Sequence, residues 1–142
     1  MKTIILFAAV LSLFFTGNVY SQKISTFKEN TDNNGYKTRE YVSENKQRAK
    51  TKIIFRYDTL GNVIERTYYS RGNGLNWIPL QKHAYLYNKE GKIADIIFTK
   101  RDQLKDEWEK KSLHFIHLYN KGQLIVQQVE KDTDTEYLLT QR

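Results

Sequence analysis

Residues 85–93 read Tyr-Leu-Tyr-Asn-Lys-Glu-Gly-Lys-Ile, and they decide the fold because two further copies of the pattern flank them. The copies are Phe-Arg-Tyr-Asp-Thr-Leu-Gly-Asn-Val at residues 55–63 and His-Leu-Tyr-Asn-Lys-Gly-Gln-Leu at residues 117–124. In each copy an aromatic strand precedes Asp or Asn, whose short side chain bonds the backbone two residues on. A glycine then supplies the positive φ that a hairpin turn needs. Each copy therefore predicts a β-hairpin.

The aromatic residues that open these strands repeat with the same period as the turns. Trp77 and Trp108 are expected to begin the strands that end at Tyr87 and Tyr119, and both landmarks recur at nearly the same interval. Tyr137 fits a last, truncated copy of the tryptophan position. A regular period with one hairpin per unit predicts that each unit buries its apolar residues against its neighbours.

These repeats predict an all-β fold, an antiparallel meander of about three tandem hairpin units with about seven or eight strands. Strand alternation puts Tyr85 and Tyr87 on one face and Ala84 and Leu86 on the other, so both faces carry apolar groups. A flat single layer would leave one apolar set in water. We therefore expect the sheet to curl, to pack on itself, or to form a homodimer through its second face.

The N-terminal residues have the pattern of a secretory signal peptide. Lys2 supplies a positive charge, residues 4–15 are apolar, and Val19-Tyr20-Ser21 resembles a cleavage site. The apolar run is too short for a membrane span, and a chain without cysteine is not a lipid-modified lipoprotein. The sequence thus predicts a secreted or periplasmic protein with a signal peptide at 1–21, a flexible polar leader at 22–34 and one β-repeat domain at 35–142.

Cations alternate along the first strong strand. They occupy the even positions Lys46, Arg48, Lys50, Lys52 and Arg56, whereas apolar residues take odd ones. A strand would place these cations on one face. With a formal net charge of +7, an exported protein is expected to meet anionic glycans, lipid headgroups or acidic proteins rather than nucleic acid. The alternative is a solvated edge strand that its lysines keep soluble.

The repeated aromatic position is the second candidate binding feature. Trp77, Trp108 and Tyr137 occur once per unit, which predicts a ladder of rings spaced along the sheet. Such a ladder would stack on sugar rings or on an extended peptide. Alternatively, the rings pack at the junction between loop and strand and hold neighbouring units together.

Catalytic signals are sparse. Without cysteine there is no thiol nucleophile and no cysteine-type zinc site. Of the three histidines, only His83 and His117 are predicted to share a face, because His114 has the opposite parity on its strand. No catalytic residue, metal ligand or cofactor is predicted. A small hydrolase or hydrolase inhibitor, with carboxylates such as Asp95 and histidines in a cleft, stays as the alternative to a non-catalytic binding module.

Four motifs carry a resemblance to a known family: Tyr57-Asp58-x-x-Gly61-Asn62, Trp77-Ile78-Pro79, Tyr85-x-Tyr87-Asn88-x-x-Gly91-Lys92 and Tyr119-Asn120-Lys121-Gly122. In these motifs the chain resembles a family of small secreted proteins of unknown function from the Bacteroides group. The resemblance implies a secreted β-repeat protein. Because that family has no assigned catalytic residues, it supplies no site for this chain.

Overall fold

A computed structural model describes residues 23–44, 50–71 and 76–133, which form one antiparallel β-sheet without a helix. The strands are β1 (Lys23–Thr31), β2 (Lys37–Glu44), β3 (Lys50–Tyr57), β4 (Val63–Arg71), β5 (Trp77–Tyr87), β6 (Ile93–Asp102), β7 (Glu107–Trp108), β8 (Lys111–Asn120) and β9 (Gln123–Asp132). They lie side by side in chain order from β1 to β6, followed by β8 and β9, and the short β7 pairs with the end of β6. The predicted all-β antiparallel meander is confirmed.

Three of the hairpin turns share one hydrogen-bonding pattern. Asp32, Asp58 and Asn88 each accept, at the side-chain oxygen, N–H bonds from the residues two and four positions on, at 2.8 to 3.0 Å. The glycine three positions on donates its N–H to the carbonyl oxygen of the same residue. Gly61 has a φ of 88°, in the left-handed region where a side chain would be strained. The Asp/Asn-x-x-Gly pattern therefore codes for one recurrent turn.

The turn between β8 and β9 is one residue shorter than these three. Asn120 pairs directly with Gln123, and the two residues between them, Lys121 and Gly122, have φ values of 47° and 79°. Two central residues with positive φ are typical of a type I′ turn, whose twist matches that of the flanking strands. The shortened motif at the end of the array thus still makes a hairpin between β8 and β9.

The structure differs from the sequence prediction at the start of the sheet. The segment 23–31, expected to belong to a flexible leader that ends at residue 34, forms β1 and pairs with β2 from Lys23 opposite Glu44 to Thr31 opposite Lys37. Its weak apolar signal follows from its position at the edge, where Ile24 and Phe27 stay more than half exposed. The Asp32 turn closes this hairpin. Together with the two-residue β7, β1 raises the strand number from the predicted seven or eight to nine.

The described sheet is a single open layer. Each strand packs mainly against its sheet neighbours, so packing of the sheet on itself, one of the expected arrangements, is not seen. The buried apolar side chains are few and central: Ile64, Ala84, Ile97 and Phe115. Side chains within each face must therefore shield one another from water.

One face, here called the ring face, carries two rows of contacting rings. Phe27, Tyr41 and Phe55 contact in sequence across β1, β2 and β3, with centroid separations of 5.1 and 5.8 Å. Tyr68, His83 and Phe98 do the same across β4, β5 and β6, at 6.2 and 5.0 Å. Cross-strand ring pairs of this kind stabilise a sheet and shield its backbone. The opposite face, here called the tryptophan face, carries Trp77 and Trp108.

Several sequence predictions fall outside the described residues: the signal peptide at 1–21 and the candidate binding residues Lys46, Arg48 and Tyr137. Within the described ranges, none of the structure is a helix of the length and apolar character that crossing a membrane requires.

Candidate binding site on the tryptophan face

Trp77 lies among basic side chains from two strands. It begins β5 and pairs in register with Arg71 of β4, whose guanidinium carbon is 5.8 Å from the centre of the indole ring. The ring also reaches across β4 to Lys52 of β3, whose ammonium nitrogen is 4.9 Å from the ring centre. These three residues are called the Trp77 cluster.

Trp108 has the same surroundings one repeat later. It lies in the short strand β7 and not, as the sequence predicted, at the start of the strand β8 that ends after Tyr119. It pairs in register with Arg101 of β6, and the guanidinium carbon is 5.4 Å from the ring centre. The ring again reaches across a strand, to Lys82 of β5, whose ammonium nitrogen is 4.6 Å away. These three residues are called the Trp108 cluster.

The two clusters are copies of one arrangement. The chain interval from Lys52 to Lys82 equals that from Arg71 to Arg101, and the interval between the tryptophans is nearly the same. In both clusters, the lysine comes from the second strand away and the arginine from the strand between. Sequence reasoning found the tryptophans but missed Arg71, Lys82 and Arg101. The common spacing was visible, yet only the strand register shows that these cations meet the rings.

Both clusters contribute to packing at the junction between loop and strand, which is the alternative role that the sequence predicted for the rings. Both rings are half-buried, and a cation over an aromatic face contributes about 0.5 to 1 kcal/mol at exposed sites and more when water is excluded. Each cluster thereby joins a strand to the second strand before it. The part of each ring that stays exposed is available to a ligand together with the cations beside it.

Acidic side chains neutralise the cations unevenly. Lys52 lies 3.7 Å from Glu40, and Lys50 lies 4.0 Å from Glu44, so the predicted cationic strand faces two carboxylates of β2. Arg101 pairs with Asp106 at 2.8 Å. Among the residues that the structure describes, Arg71 and Lys82 have no carboxylate within 4.0 Å. Within the described part of the chain, each cluster therefore keeps one cation without an acidic partner.

The two rings lie at the same end of the sheet, where β5 begins and β6 ends. Because β6 lies between β5 and β7, two strand spacings, about 10 Å, separate the two backbones across the sheet. Trp108 is opposite Arg101 of β6, and the preceding residue, Lys100, is opposite Gln81 of β5. Trp77 comes four residues before Gln81, so its backbone lies about 10 Å further along the strand direction than that of Trp108. One short oligosaccharide could therefore reach both rings. Two aromatic surfaces with adjacent cations at that spacing suit a linear polymer that carries rings and negative charges.

The histidine pair considered from the sequence is not brought together. His83 is opposite Phe98, and the strand beyond presents Leu113, four residues before His117. The two imidazoles are therefore about 10 Å apart across the sheet, which is two strand spacings, and about 13 Å apart along the strands, which is four residues. In the described ranges no three residues with metal-binding side chains form a group that could hold an ion.

The structure pairs a different histidine with a carboxylate. His114 Nδ1 lies 2.6 Å from Asp95 Oδ2, and both side chains are mostly buried on the tryptophan face. The nearby Ser112 hydroxyl is hydrogen-bonded to Thr99 at 2.7 Å and to Thr133 at 2.8 Å. These hydroxyls are part of a structural network between β6, β8 and the segment after β9. The pair was missed because its contact depends on the register of β6 against β8.

No protein family model, curated protein or solved structure matches this chain. The resemblance to the Bacteroides family of secreted proteins therefore stays a prediction.

Proposed function

We propose that this protein is an exported, non-catalytic binding module whose tryptophan face binds an acidic glycan. The observation that supports the proposal most is the duplication of the Trp77 cluster in the Trp108 cluster. Two equivalent aromatic and cationic positions at one end of the sheet suit a ligand that is itself repetitive.

The chemistry of the clusters favours an acidic polysaccharide over a neutral one. The apolar C–H face of a sugar ring packs on an indole, and a uronic acid or sulfate group pairs with a neighbouring cation. Arg71 and Lys82 offer charge that no described carboxylate neutralises. The whole chain has a formal net charge of +7, of which removal of residues 1–21 takes away only Lys2, so the exported module stays positive and attracts polyanions over a longer range.

Export is the other part of the proposal, and it rests on the sequence of residues 1–21. The positive charge, apolar run and small residue at position 21 together form a cleavable secretion signal. A module delivered to the periplasm or the cell exterior would meet acidic polysaccharides there. N-terminal sequencing of the secreted protein would show cleavage after Ser21.

Neutralising the two cluster cations that lack an acidic partner among the described residues provides the test. The double variant Arg71→Gln with Lys82→Gln is expected to weaken binding to an acidic glycan on an array about tenfold, because two charged contacts with the ligand of about 0.5 to 1 kcal/mol each are lost. The dependence of affinity on salt concentration should also become shallower. Binding isotherms at two ionic strengths measure both effects.

The matched control is Lys92→Gln with Lys111→Gln, which removes the same charge from exposed lysines outside both clusters. It should keep most of the affinity. Equal weakening in the two double variants would show that only net charge attracts the ligand, and absence of binding by the natural protein to every acidic glycan tested would overturn the proposed function. Circular dichroism of each variant confirms that the sheet is intact.

A further inference from the structure

Arg66 lies at the centre of the ring face. Its register partners are Phe55 on β3 and His83 on β5, so the guanidinium stands between the two rows of rings. The guanidinium carbon is 5.1 Å from the centre of the Tyr68 ring. Arg66 is half-buried there.

The charge of Arg66 has no acidic partner among the described residues, where no carboxylate oxygen comes within 4.0 Å of it. Its Nε–H is buried and donates to no acceptor there. A buried cationic group is costly unless it is paired and hydrogen-bonded. Five of the other arginine and lysine side chains on β2, β3 and β6 do have such partners: Lys37, Arg39, Lys50, Lys52 and Arg101.

Aromatic residues surround this cation and respond to its charge. Burial raises the pKa of the Tyr85 hydroxyl, and Arg66 acts against that rise. Burial also lowers the pKa of His83 to about 4, and the positive charge of Arg66 contributes to the decrease. Arg66, Tyr68, His83 and Tyr85 are called the Arg66 centre. Its electrostatic field is positive, and its surroundings are aromatic.

We propose that the Arg66 centre is an anion-binding site for a carboxylate carried on a ring, such as an aromatic acid or an acidic sugar. The guanidinium fork matches the two oxygens of a carboxylate. The neighbouring rings on either side of Arg66 provide an apolar surface for the ring of the ligand. This site is on the opposite face from the two tryptophan clusters and does not depend on them.

The test uses benzoate as the probe, titrated into the full protein and followed by NMR. Benzyl alcohol has the ring without the charge, acetate has the charge without the ring, and glucuronate has a saturated ring. Benzoate should shift the signals of Tyr68, His83 and Tyr85, whereas benzyl alcohol and acetate should bind at least tenfold more weakly. Comparison with glucuronate shows which kind of ring the site prefers.

The variant Arg66→Met should reduce benzoate affinity at least tenfold, and Arg66→Lys should restore part of it. The matched control is Arg56→Met, because Arg56 also lies over a tyrosine ring, that of Tyr36 at 5.6 Å, but is on the other face. It should bind benzoate as the natural protein does.

A second readout is the titration of the His83 imidazole. Bound benzoate neutralises Arg66, so the pKa of His83 should rise on saturation, and Arg66→Met should raise it without any ligand. Benzoate shifts that persist in Arg66→Met, or no shift at millimolar benzoate in the natural protein, would overturn the proposal. Should Arg66→Met fail to fold, Arg66→Lys and the His83 titration still decide it. Loss of glycan binding in the variant Arg71→Gln with Lys82→Gln leaves all these results unchanged.

Discussion

Replacing Phe115 by alanine is expected to lower the free energy of unfolding by about 3 kcal/mol, the largest effect of any single truncation that we predict. Phe115 is only 9% exposed and lies on β8 between Ile96 of β6 and Gln128 of β9. Removing a buried phenylalanine costs about 3 to 5 kcal/mol, depending on how far the surroundings collapse. In a single layer the neighbouring side chains can relax into solvent, so we expect the lower end. Urea denaturation measures the change.

The control for this substitution is Leu118→Ala on the same strand. Leu118 is 48% exposed, so its removal should cost about 1 kcal/mol or less. Similar losses for the two variants would mean that the apolar centre of the sheet does not determine stability. The account of a one-layer sheet shielded by its own side chains would then be wrong.

Acidification is expected to destabilise the protein through His83. As the pH falls from the ordinary histidine pKa to the pKa of His83 in the folded protein, the free energy of unfolding should decrease by about 3 kcal/mol. This imidazole is 4% exposed, and burial with the adjacent charge of Arg66 lowers its pKa from 6.5 to about 4. The unfolded chain takes up the proton near pH 6.5, whereas the folded sheet takes it up only near pH 4. The contribution of His83 is therefore complete above pH 6.5, declines as the pH falls, and is lost below about pH 4.

The variant His83→Phe should lack this decline. Arg66 lies beside His83 in the register of β4 against β5, and the rings of Tyr68 and Phe98 contact its imidazole; none of these three neighbours is an acid. The hydrogen bond from Arg39 lowers the pKa of the Glu29 carboxyl, and at Asp58 burial raises the pKa but is outweighed by the hydrogen bonds from Asn62, which lower it below the ordinary value. Denaturation curves of His83→Phe and of the natural protein at pH 6.5 and pH 5 therefore isolate the contribution of this histidine by difference. A decline of the same size in His83→Phe would show that another group causes it.

The repeated turns were predictable because their determinants are local. Asp58 and Asn88 bond the backbone of residues two and four positions on, and Gly61 supplies the positive φ, so a short sequence window contains the whole turn. The periodic spacing then orders the hairpins into a meander. The edge strand β1 was missed because Ile24 and Phe27 are its only large apolar residues. It forms by pairing with β2, and that pairing cannot be recognised from the residues of β1 alone.

The candidate sites were only partly predictable because they depend on register. The alternation of Lys50 and Lys52 correctly placed both on one face, yet their partners Glu40 and Glu44 belong to another strand. Trp77 was singled out by its spacing, whereas its contact with Lys52 crosses an intervening strand. The register shift opposite Tyr68 and Tyr69, where β5 has the extra residue Leu80, changes the direction of Trp77 relative to the rest of β5, and Pro79 beside it is its local sign in the sequence.

The central claim is that Trp77 and Trp108 act as equivalent parts of one ligand surface. The chain has two tryptophans, so an NMR titration with an acidic oligosaccharide follows two indole N–H signals directly. We predict that both signals shift together and saturate at the same ligand concentration. Binding that leaves both indole signals unmoved, or that shifts only one of them, would contradict the account.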